Sequence, residues 1–309
     1  MTAKTAKREK TVLIIDGHAI LHRAYHALPF LTNRSGKPMN AIYGFFSMLL
    51  AVLKETKPKW LIICLDAPGP NFRHHIFIGY QSKRPPMEEK LASQIRPFKK
   101  SLKTTNLAVF SKTGFEADDL IGTICQKIKK KEAVKKIIIV TGDKDLMQLV
   151  DKKVSLLAPG KGISQLNEYG PQKVEEKLGI KPTQVIDYKA LMGDPSDNYP
   201  GVNGIGPKTA ANLLQKYKTL DEVYNRCGEL SENMRRKLKT EKNAAYLCQK
   251  LAKVLLDAPI KISLKKAVFN KKRIENLKKT FEENNFRSLT KRLEREYNLE
   301  NTSSQMKLI

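Results

Sequence analysis

The segment VLIID at residues 12–16 decides the fold of this chain, because four consecutive aliphatic residues end directly in an aspartate. Three more short apolar runs follow, and together the four runs are Val12–Ile15, Leu61–Leu65, Leu107–Phe110 and Ile137–Val140. Each run has sequence of helical character before or after it. Apolar runs of this length are typical of buried parallel strands, so the first half of the chain is predicted to form an α/β layer structure.

Helical patterns surround these runs and continue after them. Candidate helices include Ala41–Lys54 and Ala117–Lys130, and in the second of them apolar residues recur at helical spacing. After about residue 170 the strand patterns fade, and four segments are predicted as helices, namely Pro171–Leu178, Thr183–Met192, Pro207–Tyr217 and Glu241–Leu256. We therefore expect an α/β domain at residues 11–172 and a helical domain at 173–297, with a basic tail at 1–10 and a second tail at 298–309.

The composition indicates a soluble protein with a polyanionic partner. The 309 residues carry a formal net charge of +26, and 41% of them are hydrophobic. Lysine and arginine release counterions when they neutralise phosphates, so nucleic acid is one partner that this charge favours. Charge alone does not separate DNA from RNA, from anionic lipid or from a merely solubilising surface.

Two further features predict a cytoplasmic protein. The first ten residues are polar, and the longest apolar run, at residues 44–53, is too short to span a membrane. The four cysteines are far apart, which is typical of reduced core residues in a cytosolic protein. They are Cys64, Cys125, Cys227 and Cys248.

Carboxylates follow each predicted strand, at the end where parallel sheets form their sites. They are Asp16, Asp66, Glu116, Asp118, Asp119, Asp143 and Asp145. Asp194 and Asp197 lie in the segment MGDPSDN at the entrance to the helical domain. So many carboxylates converge only if cations neutralise them, and all-oxygen ligation suits Mg²⁺ or Mn²⁺. Two such ions about 4 Å apart can activate water and stabilise the leaving oxygen of a phosphodiester.

Each acidic residue alone has an ordinary structural interpretation. Asp118 could be a helix-start residue, and Asp194 and Asp197 could form turns. A zinc site is a further alternative, because three histidines are spaced for one helix face. They are His18, His22 and His26. Nothing else in that segment completes a zinc site, and capping or packing is the alternative role for these histidines.

Five motifs in one order carry a family resemblance. They are DGHAILHRAYHALP at 16–29, FRHHIFIGYQSKRPPM at 72–87, GFEADDLIGT at 114–123, TGDKDLMQLV at 141–150 and LMGDPSDNYPGVNGIGPKTAANLL at 191–214. Together they resemble the 5′ nuclease domain of bacterial DNA polymerase I, which is related to the flap endonucleases. The resemblance runs from about residue 11 to at least 255. It implies a Rossmann-like, PIN-like nuclease domain with a helical arch, then a helical domain with a helix–three-turn–helix DNA clamp.

The resemblance also implies roles for matching residues. All nine acidic residues named above match the family's metal ligands. The resemblance implies two ions, with Glu116, Asp118 and Asp119 mostly near the first and Asp194 and Asp197 near the second. The arch matches residues 72–103, and its basic residues would contact DNA. The matching catalytic or DNA-contacting residues of the nuclease domain are Arg23, Arg73, Tyr80, Lys83 and Arg84.

The segment GVNGIGPKTA at 201–210 indicates a DNA clamp within residues 200–214. Glycines permit tight turns and close backbone approach, and Pro207 can open a helix whose free N–H groups face a phosphate. The DNA-binding residues expected there are Gly201, Gly204, Gly206, Lys208 and Thr209. An ordinary glycine-rich hairpin is the alternative. The resemblance further implies a potassium ion held by backbone carbonyls near Leu191, Met192, Pro200, Val202 and Ile205.

Two arch residues depart from the family pattern. Gln81 stands where lysine is common after the arch tyrosine, although Lys83 is close by, and His75 stands where an acid is common. These departures concern strand threading rather than the metal ligands.

The resemblance implies a Mg²⁺- or Mn²⁺-dependent 5′→3′ exonuclease and 5′-flap endonuclease that leaves a 5′-phosphate and a 3′-hydroxyl. Its partner would be DNA with a 5′ flap, nick or free 5′ end, including RNA–DNA primer junctions. A monomer acting in replication and repair is expected. Two alternatives remain open at this point: a DNA-binding protein with weak or lost nuclease activity, and a ribonuclease of the same superfamily.

Overall fold

The computed structural model describes residues 10–160 and 166–299. Within them, one sheet has the strand order β3-β2-β1-β4-β5-β6, in which β1 to β5 run parallel and β6 pairs antiparallel with β5. The strands are β1 Thr11–Asp16, β2 Trp60–Cys64, β3 Ala108–Phe110, β4 Lys136–Val140, β5 Val154–Pro159 and β6 Leu166–Tyr169. The prediction of a mostly parallel α/β sheet is confirmed.

Helices surround the sheet and make up the second half of the described chain. They are α1 Gly17–Ala27, α2 Asn40–Thr56, α3 Phe72–Ile76, α4 Glu89–Thr105, α5 Ala117–Ile128, α6 Pro171–Leu178, α7 Val185–Met192, α8 Pro207–Tyr217, α9 Leu220–Asn225, α10 Glu232–Thr240, α11 Lys242–Ala252, α12 Lys271–Glu283 and α13 Arg287–Tyr297. The predicted bounds of α6 and α8 agree with the structure to the residue. The first residues of the predicted helix 183–192 instead belong to a 3-10 turn at Pro182–Gln184.

Two apolar cores cover the two faces of the sheet, because side chains alternate along each strand. On one face, Val12 and Ile14 of β1 pack with Leu120 of α5, and this core continues into the helical half. On the other face, Leu13 and Ile15 pack with helices α2 and α4. The three central strands β1, β2 and β4 are buried on both faces, which is why they consist almost wholly of apolar residues.

The C-terminal helices return to the α/β half. The Phe281 ring of α12 lies 5.3 Å from Phe46 of α2, and Phe98 of α4 lies 4.6 Å from Phe45. These four rings belong to one buried core. The predicted domain boundary at residue 172 stays a prediction, and α12 and α13 pack on the α/β half although they follow the helical region.

Most of the two predicted tails, at residues 1–9 and 300–309, lies outside the described residues. Among the helices described, none combines the length and the apolar character that crossing a membrane requires.

Candidate metal centre

The carboxyl ends of the strands bring the predicted acidic residues together. Asp16 is the last residue of β1, Asp66 follows β2 by two residues, and Asp143 follows β4 by three. Because β2, β1 and β4 are neighbours, these three side chains meet at one edge of the sheet. They line a cavity of about 690 Å³. Its other acidic lining residues are Glu116, Asp118, Asp145 and Asp197.

The centre of the cavity holds carboxylates with few neutralising partners. Asp16 accepts hydrogen bonds from the Thr141 hydroxyl at 2.7 Å and the Ala19 N–H at 3.2 Å. Burial, and then the charge of Asp66, nevertheless raise the pKa of Asp16 to about 7. Burial and the charges of Asp143 and Asp16 raise the pKa of Asp118 well above its usual value. Among the described residues, Asp118 has no hydrogen-bond or ion-pair partner.

Asp66 lies at the edge of this group and differs from it in its electrostatics. Its carboxylate accepts a hydrogen bond of 2.8 Å from the Ala117 N–H at the start of α5 and lies 3.1 Å from Nδ1 of His18. Burial alone would raise the pKa of Asp66, but the contacts with His18 and Ala117 lower it overall. Asp66 is therefore held as a carboxylate.

A second acidic group joins the sheet to the helical half. Carboxylate oxygens of Asp145, Asp194 and Asp197 lie within 4.8 Å of one another, which suits a shared cation. Burial and the charge of Asp143 raise the pKa of Asp145 to about 7. The predicted convergence of the 194–197 loop on the sheet edge is therefore present in the structure.

Lys189 is a residue of this group that the sequence did not reveal. Its side chain is 12% exposed, and its ammonium lies 2.5 Å from Asp145 Oδ1 and contacts Asp194 Oδ2. Burial would lower the pKa of Lys189, but the two carboxylates raise it overall. The available signal was weak, since it consisted of a lysine on the helix that leads directly into the acidic loop.

Asp119 and Arg73 form a buried pair at the wall of the cavity. Asp119 was predicted as a metal ligand and Arg73 as a DNA contact, but both are buried and paired with each other at 2.9 Å through two parallel hydrogen bonds. Arg73 also contacts Glu116 at 2.7 Å and donates to the Leu251 carbonyl at 2.9 Å. A fully used guanidinium and a carboxylate with 0% exposure support the site from behind in this arrangement, and the roles of Asp119 as metal ligand and Arg73 as DNA contact stay predictions.

The arch segment lies over the cavity and contacts its carboxylates. Gln81 Nε2 donates to Glu116 Oε1 at 3.0 Å, and Arg84 forms an ion pair with Asp197. The Tyr80 hydroxyl donates to Glu116 at 3.2 Å, and its side chain is buried. In this position the Tyr80 ring is not the exposed surface for base stacking that was expected.

The remaining predicted cationic residues face solvent. Arg23, Lys83 and Lys208 are exposed, and Arg23 donates to the Gly160 carbonyl. Gly206 and Pro207 are also exposed at the start of α8, so the free N–H groups of that helix are accessible, with Thr209 half-buried behind them.

The glycine-rich loop folds tightly on the residue pair that precedes Asp194. Gly193 and Gly201 both have positive φ, of 77° and 67°, and a Cβ on Gly201 would lie 2.3 Å from the Gly193 nitrogen. Two carbonyls predicted to bind potassium accept hydrogen bonds in this loop, Leu191 from Val202 at 2.8 Å and Val202 from Ile205 at 3.0 Å. The predicted potassium set stays a prediction.

The histidine alternative is not supported. Among the described residues, the group of three that could hold a metal ion is the acidic one, and the three histidines form no such group. His18 Nδ1 lies 2.9 Å from the Asp66 backbone nitrogen and 3.1 Å from its carboxylate, and burial, followed by the neighbouring histidines, lowers the pKa of His22.

Comparison with known proteins agrees with this geometry. Residues 11–179 match the model of the 5′–3′ exonuclease N-terminal resolvase-like domain, and residues 180–276 match that of the 5′–3′ exonuclease C-terminal SAM fold. The chain is 37% identical over 287 residues to DNA polymerase I of Caldicellulosiruptor bescii, covering 91% of this chain and 33% of the relative. The chain thus spans about a third of the polymerases that it matches.

Shorter relatives are matched over nearly their whole length. A 5′–3′ exonuclease of Aquifex aeolicus is 33% identical over 288 residues, which cover 93% of this chain and 96% of that protein. The fold is similar to that of bacteriophage T5 flap endonuclease, solved with DNA and metal ions, with a TM-score of 0.65 at 19% identity, covering 93% of this chain and 98% of the phage protein. From the motifs, the sheet edge and these matches together, the chain belongs to the 5′–3′ exonuclease family.

Proposed function

We propose that this chain is a divalent-metal-dependent nuclease that hydrolyses DNA phosphodiesters at free 5′ ends and at 5′-flap junctions. The observation that carries the proposal is one acidic cavity in a protein of net charge +26. A basic exterior attracts a polyanion, whereas crowded carboxylates repel it unless cations lie between them. Membership in the 5′–3′ exonuclease family supports the same activity.

The donor set fits Mg²⁺ or Mn²⁺. Asp16, Asp118 and Asp143 would hold a first ion with Glu116 and Asp66 beside them, and Asp145, Asp194 and Asp197 would hold a second. All of these donors are carboxylate oxygens, which hard cations prefer, whereas zinc would normally bring histidine or cysteine. When bound, such ions supply positive charge at the scissile phosphate and lower the pKa of water.

The protein side chains would orient these ligands and the DNA. Gln81 and Tyr80 fix the Glu116 carboxylate, and Thr141 fixes Asp16. Exposed Lys83 and Arg23, together with Arg84 once it leaves Asp197, would bind phosphates near the cavity. The accessible N–H groups at the start of α8 would bind a phosphate of the duplex.

Finer features of the proposal rest on the family resemblance. The substrates would be 5′ flaps, nicks and RNA–DNA primer junctions, and the products a 5′-phosphate and a 3′-hydroxyl. The protein would act as a monomer in the bacterial cytoplasm, in primer removal and repair. A potassium ion would bind the carbonyls of the 191–205 loop, and replacement of K⁺ by Na⁺ would then weaken DNA binding.

A 5′-flap duplex labelled at either end tests the proposal. Wild-type protein is expected to cut at the flap junction with Mg²⁺ or Mn²⁺ and to be inactive in EDTA. Asp118→Asn should lose at least about a hundredfold in turnover, because ion-dependent stabilisation is worth several kcal/mol, yet retain DNA binding. Asp118 is replaced alone, since Asp119 is the buried partner of Arg73. Glu132→Gln, an exposed acid outside the cavity, is the matched control.

The same assay decides between the proposal and its alternatives. Tight binding of the flap with no cut in either metal would identify a DNA-binding protein without nuclease activity. A matched RNA flap completes the design: equal or faster RNA cleavage would identify a ribonuclease instead.

A further inference from the structure

The edge of the sheet opposite the metal centre carries a row of lysines. A lysine stands directly before each of β2, β1, β4 and β5, and in sheet order these are Lys59, Lys10, Lys135 and Lys153. We call these four residues the lysine row. None of them belongs to the predicted arch, clamp or metal ligands.

Backbone hydrogen bonds hold the lysine row in register. The Lys59 N–H donates to the Thr11 carbonyl at 3.0 Å, and the Lys135 N–H donates to the Lys10 carbonyl at 2.9 Å. The Ile137 N–H donates to the Lys153 carbonyl at 2.8 Å. Neighbouring strands lie about 4.8 Å apart, so the four lysines extend over roughly 15 Å on a rigid support.

The surrounding segments add more positive charge. Residues 54–59, 127–136 and 151–153, together with Lys10, contain twelve lysines and three acids. Lys10, Lys135 and Lys153 are exposed, and Lys59 is half-buried with its ammonium 4.8 Å from the centre of the Trp60 ring. Asp151 forms an ion pair with Lys129 at 3.3 Å and accepts a hydrogen bond from the backbone N–H of Lys153, whose ammonium donates to the Lys129 carbonyl at 3.0 Å. So dense a set of like charges favours an extended polyanion.

The lysine row is too far from the metal centre to serve the same phosphates. Thr11 and Asp16 are the two ends of β1, and six residues of strand extend over about 17 Å. The side chains of the row begin at the amino end of that strand, whereas the cavity opens at the carboxyl end. DNA at the row is therefore a separate segment from DNA at the scissile bond.

We propose that the lysine row is a second duplex DNA-binding surface. One protein molecule would bind one DNA segment at the metal centre and a separate duplex segment at the lysine row. The inference rests on the DNA binding in the proposed function. Duplex DNA fits because it presents closely spaced phosphates along a straight edge. An anionic membrane fits less well, since peripheral membrane binding also uses apolar side chains. Of the large apolar side chains exposed in the described residues, none lies in the basic segments.

Energy transfer between two DNA molecules tests the inference. A donor-labelled 5′-flap duplex and an acceptor-labelled plain duplex are mixed with protein, with Ca²⁺ in place of Mg²⁺. Wild type should bring the two duplexes together. The variant K10Q/K59Q/K135Q/K153Q should reduce bridging at least tenfold at 100 mM salt, and its log–log salt slope for plain duplex should be smaller by about 3, since up to four phosphate contacts are lost. The control replaces four exposed lysines of α12 and α13, K271Q/K272Q/K279Q/K291Q, and should retain bridging.

Two further measurements make the outcome decisive. Cleavage of a short flap by the row variant with saturating substrate and Mg²⁺ should equal that of wild type, which also shows that the variant is folded. Equal bridging by the row variant and wild type would overturn the inference. A row variant that lost binding to phosphatidylserine vesicles but still bridged the two duplexes would also overturn it. Absence of cleavage by the wild type with bridging retained would overturn the nuclease function and leave the second DNA surface standing.

Discussion

At the scale of single residues, Arg73 connects three segments that are distant in sequence. It pairs with Asp119, contacts Glu116 and donates to carbonyls of Leu251 and Lys253. Arg73→Ala would leave the Asp119 carboxylate buried without its partner. Breaking a buried pair in this way costs about 3–5 kcal/mol, so we expect a loss of that size in the free energy of unfolding, measured by urea denaturation.

Lys83→Ala is the matched control for this prediction. Lys83 is an exposed arch cation, so its removal should change the free energy of unfolding by less than about 0.5 kcal/mol while lowering flap cleavage. Equal stability of the Arg73 and Lys83 variants would contradict the assignment of Arg73 as a structural residue. Arg84→Ala should resemble Lys83→Ala in stability, because its ion pair with Asp197 is half-exposed and such pairs contribute little.

Asp16 links the stability of the metal-free protein to pH. Its pKa is raised from 3.8 to about 7 in the folded state, chiefly by burial. The contribution of protonated Asp16 to the free energy of unfolding is therefore fully present below about pH 4 and is lost as the pH rises through about 7. In EDTA at pH 8, the free energy of unfolding of Asp16→Asn should therefore exceed that of wild type by up to roughly 4 kcal/mol, and this difference should shrink towards pH 5.

Thermal and urea denaturation at several pH values, with and without Mg²⁺, measure this effect. Mg²⁺ should stabilise the wild type more than the variant, because the ion relieves the repulsion that Asn has already removed. A wild type as stable as Asp16→Asn in EDTA at pH 8 would show that the carboxylate is adequately neutralised without metal.

The sequence predicted the acidic residues because each stands beside a strand end or a loop that the apolar pattern identifies. It did not separate ligands from supporting residues. Asp118 and Asp119 are adjacent, yet Asp118 faces the cavity and Asp119 faces Arg73, 46 residues away in sequence. That distinction depends on the path of the arch and of residues 251–255, and no local pattern carries it. Lys189 was missed for the same reason.

At the scale of elements, the loop between α7 and α8 offers a test of backbone conformation. Gly201 has a φ of +67°, and a Cβ there would lie 2.3 Å from the Gly193 nitrogen. Gly201→Ala should lower the free energy of unfolding by roughly 2 kcal/mol or more and displace Asp194, which follows Gly193 directly. Denaturation and Mn²⁺ affinity are the two measurements, and both should decline.

Gly206→Ala is the control in the same loop. Its φ is −92° and nothing lies within 4 Å of a Cβ built there, so stability should not fall. DNA affinity should decrease, because the added methyl group stands at the exposed start of α8, where a phosphate would approach. If Gly201→Ala and Gly206→Ala both lowered the free energy of unfolding, or if neither did, the assignment of Gly201 to the loop geometry and of Gly206 to DNA contact would be wrong.

Elements differed in how well the sequence predicted them. Helices α6 and α8 begin at a proline and carry clear helical patterns, and their bounds were predicted to the residue. Strand β6 was missed because LNEY is a polar strand at the edge of the sheet, with β5 as its partner on one side. Strand β5 was also missed, although VSLLAP is mostly buried.

At the scale of the whole molecule, the site is built from both halves of the chain. Asp16 ends strand β1 and Asp118 lies in the first turn of α5, whereas Asp194 and Asp197 come from the loop after α7. The sequence indicated that the two halves meet at the acidic edge. It did not indicate that α12 and α13 return to pack on α2 and α4, because Phe281 and its partner Phe46 are joined by tertiary packing alone.

Because carboxylates from both halves surround the cavity, divalent ions should stabilise the molecule as a whole. An ion that binds the folded state raises the free energy of unfolding by about 2.7 kcal/mol at a hundred times its Kd. We expect MgCl₂ to raise the Tm well beyond the effect of NaCl at the same ionic strength, since screening alone acts on both salts equally. Asp118→Asn in the sheet half and Asp197→Asn in the helical half should each reduce the gain, whereas Glu132→Gln should leave it unchanged. If MgCl₂ and NaCl gave the same Tm, the acidic cavity would not be a metal centre, because cations that bind there cannot fail to stabilise the fold that assembles it.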